Sequence, residues 1–253
     1  MILRPYLYHS ALHFPAMRTA AVLAALLLAA PSLPAEPPTV NAKQLILVVS
    51  PDWDSATATL RRFERKGTGW RQAGDVVDVV IGRSGLAWGA GVNRDTGPGP
   101  VKREGDGKSP AGVFHIGHAF GFESVPRWMR LPYIQLRDST QCVDDPASQL
   151  YNQIVVPSAT TTPDWSSSEK MRAIDVYRWG AVVLHNDPPE KGRGSCIFLH
   201  LVDPHGKPTA GCTSMPAAAL GALLRWIDPA AHPLLVQLPR AEYDRLRSLW
   251  QLP

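Results

Sequence analysis

The stretch GSCIFLHLVDPHGKPTAGCT, residues 194–213, joins a buried-strand pattern to a cysteine that directly follows a glycine. Ile197–Val202 is an apolar run broken only by His200, which is typical of a strand buried on both faces. A turn containing Pro and Gly follows, and Cys212 lies twelve residues after His200, just ahead of a helix-like segment. The stretch therefore predicts a strand that delivers a histidine into the neighbourhood of a cysteine.

The other apolar segments have the same short, β-branched character, and several are continuous rather than alternating, which indicates strands buried on both faces. These segments are Leu45–Val49, Val76–Ile81, Val113–Ile116, Ala181–Leu184 and Leu234–Leu238. Two further segments, Thr57–Arg65 and Tyr133–Leu136, have the pattern of half-exposed strands. The 24 prolines and 20 glycines favour a loop-rich domain built on strands over a helical bundle.

Helices are predicted at three places. Ser166–Glu169 has the serine and glutamate spacing of a capping box and predicts the start of a short helix. Pro216–Ile227 is helix-like with Ser214 as a candidate cap, and Ala241–Leu249 has the pattern of a terminal amphipathic helix. The fold class is therefore mainly β with a few helices, in a single domain over residues 41–253.

Composition excludes several classes of protein. Of the 253 residues, 45% are hydrophobic and 19% are charged, so global disorder and a coiled coil are both excluded. The net charge is +4, and it becomes +2 for a chain that lacks Arg4 and Arg18, since no acid precedes residue 36. This balance is too mild for a nucleic-acid-binding footprint, so no nucleic-acid partner is predicted.

The N-terminal segment has the pattern of an export signal. Ala20–Ala30 is an uninterrupted apolar run that is shorter than the roughly 20 residues a membrane-spanning helix needs. Small residues at Ser32 and Ala35 follow as cleavage positions, so residues 1–35 are predicted to be a signal peptide, with Met17 as an alternative start. The mature protein is then exported to the periplasm or cell envelope, without a stable membrane span, where disulfides form.

Cys212 and His200 are the candidate catalytic residues. A cysteine nucleophile needs a neighbouring base, and it needs backbone amides directed at the developing oxyanion. Gly211 permits a close approach of the backbone, and the amides of Cys212 and Thr213 are the candidate oxyanion donors. The nearby helix N-terminus is expected to lower the pKa of the thiol modestly. The alternative is that Cys212 is a buried structural cysteine and that His200 is a histidine whose hydrogen bonds are satisfied within the fold.

This pattern resembles the catalytic motif of the L,D-transpeptidase (YkuD-like) family of bacterial cell-wall enzymes. Thr209-Ala210-Gly211-Cys212 resembles the family's nucleophile motif, Ile197–His200 its histidine strand, and Ser109–Phe114 its Ser-Pro-x-Gly-x-Phe segment. The resemblance spans roughly residues 45–238. The chain departs from the family at Ala210, where a histidine is common, and at Ser214, where an arginine is common. The His–Cys separation is also shorter, which indicates a divergent branch.

The resemblance implies a mixed, β-sandwich-like catalytic fold and an exported cysteine acyltransferase that acts on peptidoglycan stem peptides in cell-wall biogenesis and cell shape. It implies a thioester on Cys212, release of a terminal D-alanine and transfer to an amine, with His200 as general base and then acid. A backbone carbonyl or Thr209 is expected to orient His200. Hydrolysis at the same site would make the protein an L,D-carboxypeptidase. No cofactor and no metal are predicted for this reaction.

The chain has three cysteines, so assigning Cys212 as the nucleophile leaves Cys142 and Cys196. We expect these two to form a disulfide in an oxidising compartment, with a stabilisation of roughly 3–4 kcal/mol. The alternative is two separate buried thiols.

Two other functions compete with the acyltransferase. His185, His200, Asp203 and His205 are the residues available to a zinc peptidase, although their spacing differs from that of helical zinc motifs and His205 is expected in an exposed loop. A non-catalytic wall-binding module is the other alternative. His185 and Asn186, which end a predicted strand, are expected either to bind substrate in the cleft or to satisfy a strand-end turn.

Overall fold

The computed structural model describes residues 36–92, 97–158 and 160–253, which contain fourteen β-strands and two α-helices. The predicted signal peptide, residues 1–35, lies outside the described residues. The strands are β1 Gln44–Ser50, β2 Thr57–Lys66, β3 Gly69–Gln72, β4 Val77–Val80, β5 Leu86–Trp88, β6 Ser109–Gly121, β7 Tyr133–Gln135, β8 Gln141–Val143, β9 Ile154–Val155, β10 Ser168–Lys170, β11 Trp179–Leu184, β12 Phe198–Leu201, β13 Thr213–Met215 and β14 Leu234–Pro239. The helices are α1 Ala217–Trp226 and α2 Arg240–Leu246.

The main sheet closes on itself. Its strands follow the order β1-β14-β6-β11-β12-β13-β4-β2, and β2 pairs with β1 to complete a ring of eight strands. Strand β3 extends the sheet from β2, while β5 and β7 pair with β6. The prediction of a mainly β fold with few helices is confirmed, and the closure of the sheet is an addition that the sequence did not indicate.

Two strands of the ring are buried along their whole length. All seven residues of β1 and all six of β14 are buried, and these two strands pair in parallel beside β6. Strand β2 instead mixes buried and partly buried positions, as its half-exposed pattern predicts. Each of the six apolar segments identified in the sequence overlaps a strand. Burial at every position, as expected for strands covered on both sides, holds for β1 and β14, whereas β4 and β11 also contain more exposed positions.

The two helices cover part of the ring. Helix α1 packs against β11 and β12, and α2 packs against β1 and β14. Pro216 occupies the N-cap position of α1, so the predicted capping role of Ser214 is wrong: Ser214 lies in β13, where its hydroxyl donates to the Val80 carbonyl. Among the described residues, no helix is long and apolar enough to cross a membrane.

The helix predicted to start at Ser166–Glu169 is also wrong. Residues 168–170 form strand β10, and two short 3-10 helices, Met171–Ala173 and Asp175–Arg178, follow. The hydroxyls of Ser166 and Ser167 donate to the carboxylates of Asp145 and Asp144, which a distant part of the chain brings alongside. These partners hold the serines in an extended segment, so they do not cap a helix.

Strand β10 belongs to a second, three-stranded sheet in the order β10-β8-β9. Cys142 in β8 forms a disulfide with Cys196, which lies just before β12, and the Cα atoms are 6.0 Å apart. The predicted pairing is therefore confirmed, and Cys212 is a free cysteine. The bridge attaches the small sheet to the segment that leads into the histidine-bearing strand.

Replacing both bridge cysteines by serine (Cys142→Ser with Cys196→Ser) is expected to lower the free energy of unfolding. The bridge closes a sequence separation of 54 residues, and a loop of that size corresponds to roughly 3–4 kcal/mol. Urea unfolding measures the change, and Cys212→Ser serves as a control for a cysteine that makes no bridge. A loss below about 1 kcal/mol would contradict the expectation.

Candidate active site

His200 is presented by β12 with one tautomer fixed. Its Nδ1 lies 2.7 Å from the carbonyl oxygen of Leu201, and because a carbonyl only accepts, Nδ1 carries the proton and donates. Nε2 is left as the basic nitrogen. Burial lowers the pKa of His200 to about 4, against the opposing effect of the Leu201 hydrogen bond, so the ring is neutral at pH 7. Of the two orienting groups expected from the sequence, the structure has the backbone carbonyl.

Cys212 lies in the loop that enters β13. The Phe198 N–H donates to its Sγ at 3.3 Å, and the sulfur lies 3.5 Å from the Cys196 carbonyl oxygen. Burial, and secondly the charge of Glu169, raise the pKa of the thiol to about 12. The expectation of a modestly lowered thiol pKa is therefore wrong, because loss of solvent outweighs any effect of the helix that begins at Ala217.

The pairing of β12 with β13 brings the two residues together. The strands are parallel, with His200 opposite Ser214, and side chains alternate between faces along each strand. Cys212, two residues before Ser214, therefore falls on the same face as His200. Both line one cleft of about 470 Å³. At neutral pH the cleft thus holds a neutral thiol and a neutral imidazole rather than a thiolate–imidazolium pair.

Two hydroxyls and a glycine hold the cysteine loop. Thr209 Oγ1 donates to the Cys212 carbonyl oxygen at 2.7 Å, and Ser109 Oγ donates to the same oxygen at 3.0 Å. Gly211 has a φ of 156°, and a Cβ there would lie 2.8 Å from the Ile197 side chain and 2.9 Å from the Lys108 carbonyl oxygen. Only glycine fits this approach without a shift of the backbone.

Of the three residues predicted near the oxyanion, two line the cleft and the third lies on the opposite face of β13. Thr209 and Gly211 line the cleft, but the Gly211 N–H donates to Thr209 Oγ1 at 3.1 Å and so already has an acceptor. Thr213 lies on the opposite face of β13, where its hydroxyl donates to Gln237 at 2.7 Å. The role of the Cys212 and Thr213 backbone amides as oxyanion donors remains a prediction.

His185 and Asn186 do not line the cleft. Both are 0% exposed, and the Asn186 amide bonds the backbone of Glu190 and Gly194, as a strand-end turn requires. Burial lowers the pKa of His185 to about 4. The interpretation of these residues as substrate ligands is therefore not supported by their positions, and the strand-end role fits them.

The residues of the zinc alternative are also dispersed. His185 is buried, His200 bonds the Leu201 carbonyl, and His205 lies in an exposed turn as expected. In residues 36–92, 97–158 and 160–253, no group of three or more His, Cys, Asp and Glu side chains has an arrangement suited to a metal ion. The donor set that the sequence offers to zinc is not assembled.

One side of the cleft was missed by the sequence analysis. Glu169 from β10 and Tyr177 from the 3-10 helix Asp175–Arg178 both line the cleft, and the Tyr177 hydroxyl donates to Glu169 Oε2 at 2.8 Å. The Tyr177 ring contacts the His200 ring edge to face, with centroids 5.3 Å apart. No motif links these residues to Cys212, because only the long-range packing of the small sheet brings them there.

Charged side chains of both signs line the cleft. The cations are Arg83, Lys102 and Lys207, and the carboxylates in addition to Glu169 are Glu104, Asp144 and Asp203. Lys102 is buried and pairs with Asp106 at 2.6 Å. Glu104 accepts hydrogen bonds from the hydroxyls of Tyr151 and Ser195. The cleft is thus suited to a polar ligand that carries both positive and negative groups.

Comparison with known proteins leaves the family open. No family model and no curated protein matches the chain. A solved structure titled "Structure of Bdellovibrio bacteriovorus Bd1075" matches with a TM-score of 0.40 and 14% identity, over 83% of this chain and 55% of that chain. The chain thus spans about half the length of that protein, and this degree of similarity does not identify a family.

Replacing Gly211 by alanine is expected to destabilise the cysteine loop. The added Cβ meets Ile197 and the Lys108 carbonyl, so we expect a loss of about 2–4 kcal/mol in the free energy of unfolding, from overpacking and backbone strain together. Gly206→Ala is the matched control, because Gly206 also has a positive φ of 68° but nothing lies within 4 Å of its Cβ position. Equal losses in the two variants would contradict a steric role for Gly211.

The reactivity of Cys212 towards iodoacetamide is expected to rise continuously from pH 6 to pH 10. With a thiol pKa of about 12, the thiolate fraction at pH 7 is roughly one in 10⁵. The rate is measured by quenching the alkylation after set times and analysing the protein by mass spectrometry, and Cys212→Ser provides the unlabelled control. A plateau in the rate below pH 7 would indicate a thiolate–imidazolium pair and would contradict the neutral ground state.

Proposed function

We propose that the protein is an exported cysteine acyltransferase that acts on peptidoglycan stem peptides, as an L,D-transpeptidase. The observation that carries the proposal is the placement of Cys212 and His200 on one face of two adjacent parallel strands, lining one cleft. The free thiol and the basic Nε2 of His200 are the two groups that thiol acyl transfer needs. The motif resemblance at residues 209–212 supplies the substrate class.

In the first half-reaction, the Cys212 thiol gives its proton to His200 Nε2 as sulfur attacks the carbonyl of the third residue of a tetrapeptide stem, a diamino acid, at its L-centre. The Leu201 carbonyl accepts from Nδ1 throughout and stabilises the imidazolium that forms. The tetrahedral intermediate then collapses to a thioester. The carbon–nitrogen bond breaks, and His200 gives its proton to the departing amine of D-alanine.

In the second half-reaction, an amine attacks the thioester and the Cys212 sulfur leaves. His200 takes a proton from the amine and returns one to the sulfur, so the site ends in its starting protonation state. The amine comes from another stem, a free D-amino acid or a wall-attached protein. When water attacks instead, the product is a tripeptide and the protein acts as an L,D-carboxypeptidase.

The neutral ground state of the pair is compatible with this chemistry. Burial disfavours both the thiolate and the imidazolium, so proton transfer becomes favourable only when a bound substrate accepts the sulfur's electron pair. The lining of the cleft includes cations and carboxylates, which complement a stem peptide that carries an amine and several carboxylates. These charges support a zwitterionic peptide over a purely anionic ligand.

Export to the periplasm or cell envelope is part of the proposal. The Cys142–Cys196 bridge supports it, because structural disulfides persist in oxidising compartments.

The test is incubation of the mature protein with a tetrapeptide stem and mass spectrometry of protein and products. We expect D-alanine release and a thioester on Cys212. Cys212→Ala is expected to lower turnover by at least about 10³-fold, and His200→Gln by roughly 10²–10⁴-fold. Dimer products indicate an amine acceptor, and tripeptide indicates water.

His205→Gln is the matched control, because His205 lies in an exposed turn of the same loop and is expected to leave turnover unchanged. Folded protein with a free Cys212 thiol that gives no adduct and no D-alanine would overturn the proposed activity and favour a non-catalytic wall-binding module.

A further inference from the structure

The acid–phenol pair in the cleft has no part in the acyl transfer described above. Tyr177 and Glu169 come from different elements, a 3-10 helix and strand β10, yet their side chains meet at 2.8 Å in the cleft that Cys212 also lines. Tyr177 is buried and belongs to one apolar cluster with Phe198 and Cys212. A carboxyl group in such a place is expensive to ionise, so its retention beside a nucleophile calls for a chemical explanation.

Tyr177 lies between the carboxyl group and the reacting pair. Its ring contacts the rings of Phe198 and His200. Tyr177 and Cys212 line the same cleft and belong to the same apolar cluster. Burial raises the pKa of the Cys212 thiol and the charge of Glu169 adds to this, while the Tyr177 hydroxyl opposes both. The hydroxyl, which donates to Glu169 in the structure, thus lies in one cleft with a second acceptor, the Cys212 sulfur.

A phenol has one proton to donate, so these two acceptors compete. When Glu169 is ionised it can only accept, and the Tyr177 hydroxyl donates to Oε2, as in the structure. When Glu169 is protonated, its own O–H donates to the phenol oxygen. The Tyr177 proton is then free to donate to sulfur, and the negative charge that opposes a thiolate is absent.

The surroundings of Glu169 place its titration in the neutral range. Burial, opposed by the Tyr177 hydrogen bond, raises its pKa to about 7, and the charges of Asp144 and Glu104 act in the same direction as burial. Asp144 follows β8 and Glu104 precedes β6, so carboxylates approach Glu169 from two other segments. The nearby cation that acts on the thiol is Lys102, which pairs with Asp106.

We propose that Glu169 controls the reactivity of Cys212 through Tyr177: the protonated carboxyl group releases the Tyr177 hydroxyl to stabilise the Cys212 thiolate, and the ionised carboxylate withdraws it. In this proposal Tyr177 is a catalytic residue that donates to the reacting sulfur, and Glu169 is a positioning residue that acts through it. The thiol proton still goes to His200 Nε2, and Glu169 and Tyr177 keep their own protons. The role in acyl transfer rests on the proposed function, whereas the control of thiol reactivity does not.

The test is the rate of Cys212 alkylation by iodoacetamide as a function of pH. Glu169→Gln mimics the protonated acid, because its amide donates to the phenol oxygen at every pH. We expect Glu169→Gln to react about tenfold faster than the wild type at pH 8.5, a factor typical of one hydrogen bond to a charged group, and at nearly the same rate at pH 5.5.

Tyr177→Phe is expected to have the opposite pH pattern. It removes the donor, so alkylation at pH 5.5 falls about tenfold, whereas at pH 8.5 the variant matches the wild type, in which the phenol is already bound to the carboxylate. In the double variant, most of the gain from Glu169→Gln should disappear. A gain of equal size with and without the Tyr177 hydroxyl would show a simple charge effect and overturn the proposal.

Tyr133→Phe and Glu123→Gln are the matched controls, because the Tyr133 hydroxyl bonds the backbone of Glu123 away from the cleft. Both should leave the alkylation profile unchanged. If either cleft variant fails to fold, the carboxyl titration of Glu169 in the wild type, followed by NMR on ¹³C-labelled glutamate, decides the question. A midpoint below pH 5 would overturn the proposal.

Alkylation needs no stem peptide, so the test of the Glu169–Tyr177 control is independent of the test of the transpeptidase activity. The expected alkylation pattern without an acyl-enzyme would refute the transpeptidase activity and leave the Glu169–Tyr177 control standing. An acyl-enzyme with a pH-independent Glu169→Gln effect would do the reverse.

Discussion

The parallel pairing of β12 with β13 is the constraint on which the site depends. Its register sets His200 opposite Ser214 and therefore fixes Cys212 on the face that His200 occupies. A shift of one residue would turn the cysteine into the main core and bring Thr213 into the cleft. The register is held from outside the pair: Thr213 bonds Gln237 of β14, and Ser109 at the start of β6 bonds the Cys212 carbonyl. Closure of the strand ring thus positions the chemistry.

Burial explains why the pair is neutral. His200 and Cys212 are each only 5% exposed, and burial moves their pKa values in opposite directions, away from the charged forms. A site of this kind does not store a thiolate; it depends on hydrogen-bond donors that act when charge develops. The Phe198 amide is one such donor to sulfur, and we propose the Tyr177 hydroxyl as a second. In that proposal Glu169 alters the reactivity of Cys212 because it competes for the same hydroxyl.

The sequence predicts the strands and the proximity of His200 and Cys212 well, because both leave local signals. Continuous apolar runs identify β1 and β14, and the glycine before Cys212 marks a loop in which a Cβ at that position would meet the Lys108 backbone. The failures have one physical cause, which is long-range partners that no local pattern contains. Ser166 and Ser167 donate to the carboxylates of Asp145 and Asp144 instead of capping a helix. His185 and Asn186 are buried at a strand-end turn. Glu169 and Tyr177 enter the cleft by the same kind of assembly.

The disulfide links the small three-stranded sheet to the segment that precedes β12. Cys142 pairs with Glu169 across strands β8 and β10, while the Cys196 carbonyl oxygen lies 3.5 Å from the Cys212 sulfur. One covalent bond therefore connects the strand pair that contains Glu169 to the segment that contacts Cys212. Strands β8, β9 and β10 are three, two and three residues long. Because so small a sheet is marginally stable on its own, we infer that the bridge helps to hold Glu169 in place. The bridge thus couples the geometry of the cleft to the oxidising compartment in which we propose that the protein works.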